Sequence, residues 1–150
     1  VLGMRLNTGI NPKYLTDQHL IAEYRELFMI LGQLKAKNFK IKYIPIKLSL
    51  GTGYMSFWYD KLLYVQNRHN NIIVEMDNRS FRSQYKFDLT GVPQNLINDW
   101  NPSLNDSYLL RARVIERIMQ KPDWYRYYGQ NISRNLKEII DNIMYGEIWL

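Results

Sequence analysis

Apolar residues recur at the spacing of an α-helix in four separate stretches of this 150-residue chain. The spacing predicts helices over residues 17–31, 55–79, 104–120 and 133–145, with room for a break in the second. The chain length is typical of one domain. We therefore expect an all-α fold in which residues 1–150 form one compact domain. Its expected parts are three main helices, long connecting loops and an extra C-terminal helix within the extension 130–150.

The first predicted helix has one apolar stripe and one polar side. Asp17 is its predicted N-cap. The stripe consists of Leu20, Tyr24, Leu27, Phe28 and Leu31. At about 100° per residue, Glu26 falls nearly opposite this stripe, and its side also carries Gln18, His19, Ala22, Glu23 and Arg25. Taken alone, Glu23 and Glu26 are expected to be a solvated pair of carboxylates one turn apart.

The second predicted helix places a histidine on its buried face. That face consists of Trp58, Leu62, Val65, Ile72, Ile73 and Met76, and His69 lies in its middle. A histidine in this position is typical of a hydrogen-bonded core residue. We therefore favour that interpretation over a metal ligand or a catalytic base.

The third predicted helix begins at a capping box formed by Ser103 and Asp106. Its predicted inner stripe consists of Leu104, Tyr108, Ala112, Ile115 and Met119. Arg113 and Arg117 are four residues apart, so they share a face away from that stripe. The fourth segment carries apolar residues at helical spacing and is expected to pack on the domain or on a second copy of it.

The stretches between these helices are predicted to be connections. Residues 39–43 alternate between apolar and lysine side chains, which fits a short strand, whereas the nearby Pro45, Gly51 and Gly53 favour a loop. Residues 80–102 contain one glycine and two prolines and are predicted to be mostly loop.

Composition excludes several classes of function. Cysteine is absent and only two histidines occur, so thiolate chemistry and a histidine-rich metal site are not expected, nor is any cofactor. No apolar run approaches the length of a membrane span, and no signal peptide is visible. We expect a cytoplasmic monomer without a membrane or metal partner.

The charge distribution favours a polyanionic partner. The net charge is +6, and residues 27–59 contain five lysines and no acidic residue. This stretch is either a solvated loop or an edge that faces phosphates.

An unusual aromatic segment follows the third helix. Its residues are Trp124, Tyr125, Arg126, Tyr127 and Tyr128, followed by Gly129. Such a cluster can staple a core, or it can form a stacking platform with phosphate contacts, as nucleic-acid-binding surfaces do.

Three blocks of the sequence together resemble one enzyme family. The first block, residues 17–27, is DQHLIAEYREL, and the second, residues 51–61, is GTGYMSFWYDK. The third block, residues 113–129, ends with PDWYRYYG. In this order and spacing they resemble the phage pyrimidine-dimer DNA glycosylases, over about residues 5–129. The resemblance implies a DNA repair enzyme that excises UV-induced pyrimidine dimers from double-stranded DNA. It also implies an attached AP-lyase activity that nicks the abasic site by β-elimination.

The resemblance also implies a set of site residues. The nucleophile in this family is the α-amine of the first residue, which corresponds to Met4, and a glutamate on the first helix, here Glu26, completes the site. DNA contacts are implied for Arg5, Gln18, His19 and Arg25, for the pair Arg113 and Arg117, and for Trp124, Tyr125, Arg126, Tyr127 and Tyr128.

The sequence departs from the family pattern in four places, one of which is an extra residue between Arg5 and Asp17. Val1-Leu2-Gly3 precede Met4: either they are a cloning remnant, and the Met4 amine is the nucleophile once exposed, or the Val1 amine must reach the site. Met29 stands where an arginine that contacts DNA is expected, and residues 130–150 extend past the usual end. These departures leave open a second hypothesis, a non-catalytic or differently specific protein that binds damaged DNA.

Overall fold

A computed structural model describes residues 6–149, and helices dominate it. The four α-helices are α1 (Asp17–Ala36), α2 (Leu62–Asn78), α3 (Leu104–Gln120) and α4 (Leu136–Tyr145). Short 3₁₀ helices span Pro12–Tyr14, Ser56–Trp58, Gln94–Leu96 and Ile132–Asn135. The predicted all-α fold, with three main helices and a further C-terminal one, is confirmed.

Within residues 6–149, four two-residue strands form two small antiparallel ladders. β1 (Gly9–Ile10) pairs with β4 (Ile148–Trp149), and β2 (Arg126–Tyr127) pairs with β3 (Gln130–Asn131). Tyr128 and Gly129 join β2 to β3 with φ angles of 51° and 78°. Positive φ at both central residues is the requirement of the tight hairpin turn that matches strand twist. Residues 39–43 form a loop, not a strand.

The first helix begins as predicted but extends five residues further. Its N-cap is Thr16 rather than Asp17, because the Thr16 hydroxyl accepts the His19 N–H at 3.1 Å from an extended backbone. The predicted stripe is confirmed: Leu20 and Leu27 are fully buried, and the other three members are buried or half-buried.

The second and fourth predicted helices each begin with a 3₁₀ turn. The chain forms the 3₁₀ helix Ser56–Trp58 and then turns at residues 59–61 before α2 starts, which is the break that the sequence left room for. Trp58 is still fully buried. α4 starts after Ile132–Asn135 and packs on the domain through Ile139 and Ile143.

The third helix has the predicted bounds and capping box, but the predicted inner stripe is wrong. Leu104, Tyr108 and Met119 are 57%, 50% and 52% exposed. The buried face consists of Ser107, Leu110, Arg111, Val114 and Ile118. Both sets recur at helical spacing about 100° apart around the axis. The sequence pattern favoured the wrong set because the true face contains a serine and an arginine.

Buried apolar side chains form two clusters, one toward each end of the α1–α2 pair. One joins the second half of α1 to the 3₁₀ helix Ser56–Trp58, the start of α2 and the connection 87–96. The other joins the first half of α1 to the end of α2, α3, α4 and Tyr125. α1 and α2 therefore contribute to both clusters.

His69 lies on α2 among aromatic rings from α1 and the connection after α2. Its ring stacks on Tyr24 at a centroid distance of 5.1 Å and meets Phe28 at 4.6 Å and Phe87 at 6.0 Å. The side chain is fully buried, which confirms the predicted core position. Neither ring nitrogen has a partner that meets strict hydrogen-bond geometry within residues 6–149, and the Tyr24 backbone is the polar group that interacts with the ring. Burial lowers the pKa of His69 to about 4, although the nearby Tyr24 backbone opposes this shift.

This lowered pKa predicts a loss of stability in mild acid. In the unfolded chain His69 is protonated below about pH 6.5, whereas in the folded protein it is protonated only below about pH 4. The contribution of neutral His69 to the free energy of unfolding is therefore complete above pH 6.5 and is lost as the pH falls toward 4. We expect the free energy of unfolding in urea to be about 2 kcal/mol lower at pH 5 than at pH 7 from this residue. His69→Phe should remove that part of the pH dependence, and an unchanged slope in the variant would contradict this assignment.

Candidate active site

The described chain begins with a buried segment, residues 6–8, that runs beside the polar side of α1. The Asn7 amide nitrogen donates to Glu23 Oε1 at 3.1 Å. The Leu6 carbonyl accepts from the Tyr54 hydroxyl at 2.5 Å, and the Thr8 and Tyr64 hydroxyls are hydrogen-bonded to each other. Met4 and Arg5, the two predicted site residues that precede this segment, lie outside the described residues.

Glu23 forms a fully buried ion pair with Arg68 of α2. Arg68 Nε and Nη2 donate to Glu23 Oε2 and Oε1 at 2.6 and 3.0 Å, and Nη1 donates to the Ile10 carbonyl at 2.6 Å. Burial by itself would lower the pKa of Arg68, but the Glu23 carboxylate outweighs it and raises the pKa. The prediction of a solvated Glu23 is therefore wrong, because α2 supplies a buried arginine for it.

Sequence reasoning missed Arg68, although a signal for it exists. Arg68 falls between Val65 and Ile72 on the buried face of α2 and is only 2% exposed. A charged residue within an apolar stripe needs a buried partner. The paired glutamates on the polar side of the first helix were the available partners, and one of them is used.

Glu26 lies one turn after Glu23 on the same side of α1. Its side chain is half-buried, and its Oε2 atom is shielded from solvent. Three residues of helix advance by about 4.5 Å, so Glu26 lies about one turn beyond Glu23, whose carboxylate binds Asn7. Arg25 is exposed next to Glu26, and Met29 is 43% exposed one turn further.

Arg113 and Arg117 occupy one flank of α3, but only Arg113 reaches the N-terminal segment. Arg113 Nη2 lies 3.4 Å from Asn7 Oδ1, and its guanidinium lies 5.3 Å from the centroid of the Tyr54 ring. Burial raises the pKa of Tyr54, and the Arg113 charge opposes this only in part. Arg117, one turn later, is exposed.

The aromatic segment is fastened to the start of α1 through Asp17. Asp17 Oδ1 and Oδ2 accept the N–H groups of Tyr128 and Gly129 at 3.0 and 2.8 Å. Asp17 Oδ1 also accepts from Arg79 Nη1 at 3.0 Å. The carboxylate thus binds the backbone of the hairpin turn, which explains why this residue, although not the N-cap, is buried.

Arg79 packs against the two tyrosines of the hairpin. Its guanidinium lies 4.8 Å from the ring centroids of both Tyr127 and Tyr128. Its Nε donates to Glu75 Oε2 at 2.8 Å, and the Tyr128 hydroxyl donates to the same oxygen at 2.9 Å. Burial raises the pKa of Tyr127 and of Tyr128. These two tyrosines are thus held in place by charged neighbours.

Gln18 and His19 also face the aromatic segment. The Gln18 amide donates to the Trp124 carbonyl at 2.8 Å and accepts the Arg126 N–H at 2.9 Å. His19 is 3% exposed and stacks on Tyr125 at 4.9 Å. Among the predicted DNA contacts of this region, Trp124 (57%), Tyr128 (45%) and Arg126 are exposed, whereas Tyr125 is buried and Tyr127 is half-buried.

Within residues 6–149, no three His, Asp or Glu side chains are grouped so that they could hold a metal ion. No helix in the same range combines the length and the apolar character needed to cross a membrane.

These features define a helical protein with shielded carboxylates on its first helix, buried arginines beside them and an exposed basic and aromatic surface. Residues 4–89 match the family model of the pyrimidine dimer DNA glycosylases. The chain therefore belongs to the pyrimidine dimer DNA glycosylase family, which acts in DNA repair on damaged DNA. The match includes α1, α2 and the loop between them. It ends before α3 and the aromatic segment, whose roles remain predictions.

The buried ion pair predicts a large and specific effect on stability. Arg68→Met leaves the Glu23 carboxylate buried without its cation, so we expect the free energy of unfolding in urea to fall by about 3–5 kcal/mol. Removing both charges with Glu23→Leu and Arg68→Met should cost less than the two single changes together.

The matched control for this prediction is the exposed pair Lys137–Asp141, whose atoms are 2.7 Å apart. Lys137→Met should leave the unfolding transition almost unchanged. A loss of similar size in both proteins would show that Glu23 and Arg68 form no special interaction.

Proposed function

We propose that this protein excises UV-induced pyrimidine dimers from duplex DNA and then nicks the abasic site through an imine on its N-terminal α-amine. Glu26 is the proposed catalytic acid and base. The observation that carries the proposal is the shielded Glu26 carboxylate on the side of α1 beside which the N-terminal segment runs. Family membership supports the glycosylase step.

Chain connectivity is compatible with an amine at Glu26. Asn7 is bonded to Glu23, and Glu26 follows one turn later on α1. Met4 is three positions before Asn7 in the chain, and three extended residues span at most about 10 Å. That reach exceeds one helical turn, about 5.4 Å. A Met4 α-amine therefore has enough chain to meet the Glu26 carboxylate.

The chemistry favours an α-amine as nucleophile. Its pKa is about 7.7–8.0, against about 10.4 for a lysine, so a far larger fraction is neutral at pH 7. The neutral amine attacks C1′ of the sugar, the C1′–N bond to the base breaks, and the base leaves with a proton. The new C1′–N bond becomes an imine as the sugar ring opens. Loss of the 2′ proton then breaks the C3′–O bond and releases the 3′ phosphate.

Glu26 acts in both stages of this sequence. As a carboxylate it stabilises the positive charge that develops on the sugar when the base leaves. It then removes and returns protons as the imine forms and β-elimination proceeds. A site shielded from water strengthens both effects.

The proposed DNA surface consists of exposed residues around this site. Arg25, Arg117 and Arg126 bind phosphates, Arg5 is the corresponding contact before the described range, and Trp124 and Tyr128 supply stacking faces. Arg113 holds Asn7 and faces the same flank. Gln18, His19, Tyr125 and Tyr127 support this surface by holding the aromatic segment. A stacked dimer is unreachable, so the duplex must be bent or a nucleotide flipped.

The test of the amine mechanism is borohydride trapping on a duplex with one abasic site. Two preparations are compared, one beginning at Val1 and one with a free amine at Met4. Borohydride reduces the imine to a stable adduct, which appears as a shifted band. We expect the adduct only with the Met4 form, because in the Val1 form the Met4 nitrogen is an amide. Intact binding without an adduct from either form would instead support the non-catalytic hypothesis.

Glu26→Gln should separate binding from chemistry. The change keeps the shape of the side chain and removes its charge and basicity, so we expect release of the dimer base to slow by about 100-fold or more. The dissociation constant for the same duplex should change little. Glu138→Gln, an exposed change on α4, is the matched control and should retain full activity. Undiminished turnover by Glu26→Gln would refute the assigned role.

The exposed arginines should set the salt dependence of binding. Arg25→Ala or Arg117→Ala should weaken DNA binding without regard to sequence, and each should reduce the slope of log K against log salt by about 1. Arg134→Ala, an exposed arginine before α4, is the control and should leave the slope unchanged. Equal slopes in all four proteins would exclude Arg25 and Arg117 as phosphate contacts.

A further inference from the structure

Residues 146–149 are attached to the same strand that follows the N-terminal segment. β4 pairs with β1, with Gly9 opposite Trp149 and Ile10 opposite Ile148. β1 comes directly after residues 6–8, which contact Glu23, Tyr54 and Tyr64. The end of the described chain therefore lies against the backbone that leads to the proposed nucleophile.

Arg111 of α3 joins these two segments with every donor that it has. Its Nη2 donates to the carbonyls of Gly9 and Glu147 at 3.1 and 3.2 Å. Its Nη1 donates to those of Met144 and Gly146 at 2.7 and 3.1 Å. Its Nε donates to the Ser107 hydroxyl at 3.1 Å. All five N–H groups of the guanidinium are thus used, and the side chain is 2% exposed.

The partners of Arg111 are dipoles rather than a carboxylate. Met144 lies in the last turn of α4, where the helix dipole presents its negative end to the guanidinium. Among the described residues, no ion pair involves Arg111. Burial lowers the pKa of Arg111. The guanidinium is still charged at neutral pH. The guanidinium is therefore needed for the arrangement of its donors, because only a planar group with five N–H donors satisfies five acceptors at once.

Two glycines mark where this arrangement is tightly packed. A Cβ at Gly9, which has a φ of 80°, would overlap the Ser107 side chain of α3. A Cβ at Gly146 would overlap the Tyr14 ring and the Asn142 carbonyl. β1 and residue 146 are consequently held against α3 and the 3₁₀ helix Pro12–Tyr14 with no room for adjustment.

We infer that Arg111 is a positioning residue, which holds β1 against residues 144–147 so that the N-terminal amine meets Glu26 in reacting geometry. This inference rests on the proposed function. Misplacement of a reacting group by about 1 Å can cost 100-fold in rate. β1 is the first regular element after the N-terminal segment, so its position limits where the amine can lie.

The test measures chemistry and binding separately in Arg111→Met and Arg111→Lys. Both variants carry the free Met4 amine. Imine trapping on the abasic duplex is followed in single turnover with enzyme in excess, and the dissociation constant is measured without borohydride. We expect the trapping rate to fall by about tenfold or more in both variants. The dissociation constant should change by less than about threefold, because Arg111 is buried away from the exposed arginines.

Ile118→Ala is the matched control for lost stability. It lies on α3 two turns after Arg111, is fully buried, and makes no polar contact with either terminal segment. Thermal unfolding of all proteins is recorded, and Ile118→Ala should retain the wild-type trapping rate at a temperature where it is folded. Equal slowing in the control and in the Arg111 variants would overturn the positioning role.

The remaining outcomes also decide the question. Wild-type trapping rates in both folded Arg111 variants would overturn the inference and leave the proposed function intact. Failure of both variants to fold would make Arg111 a structural residue and likewise overturn it. Absence of an adduct from the wild-type protein with a free Met4 amine would refute the proposed function, and the positioning role with it.

Discussion

The ion pair between Glu23 and Arg68 forms where α1, α2 and β1 meet, out of contact with water. Removing two charges from water is costly, and the cost is recovered only with good geometry and with partners for the remaining atoms. Here the pair has two hydrogen bonds, Asn7 adds a third to the carboxylate, and the Ile10 carbonyl takes another donor of the guanidinium. Any shift of the N-terminal segment would leave part of a buried charge unsatisfied. The position of that segment is therefore set by electrostatics as well as by apolar packing.

Two other buried arginines act in the same way at other places in the fold. Arg79 joins α2 to Asp17, to the carbonyls of Pro12 and Lys13, and to the tyrosines of the hairpin. Arg111 joins α3 to Gly9 and to the residues that end α4. Each guanidinium binds backbone carbonyls of segments that have little regular structure of their own. In a sheet, backbone hydrogen bonds hold neighbouring segments in place. In this chain, which has two-residue strands and long connections, arginine side chains make the hydrogen bonds that hold such segments.

The helices could be predicted from the sequence because their apolar periodicity is local. The predicted bounds of α3 are correct at both ends, since Ser103 and Asp106 mark its start and Pro122 follows its end. The face of α3 could not be predicted, because Arg111 is buried by carbonyls that are far away in sequence. The prediction of a solvated Glu23 is wrong for the same reason, since its partner lies 45 residues later. The polar side of α1 with Glu26 was found from periodicity and resemblance, whereas the docking of the aromatic segment on Asp17 and Arg79 has no local signal.

The buried charged residues sum to zero, so they do not change the net charge at the surface. Among the described residues, three acids (Asp17, Glu23, Glu75) and three arginines (Arg68, Arg79, Arg111) are buried. They cancel, so the net charge of +6 belongs to the rest of the chain. Lys35, Lys37, Lys40, Lys42 and Lys47 are all exposed at the end of α1 and in the loop after it, with no acidic residue between positions 27 and 59. A polyanion is attracted to this end of α1 over a distance of about 8 Å at physiological salt. The buried arginines therefore fix the geometry of the fold, while exposed residues, these five lysines among them, carry the net positive charge.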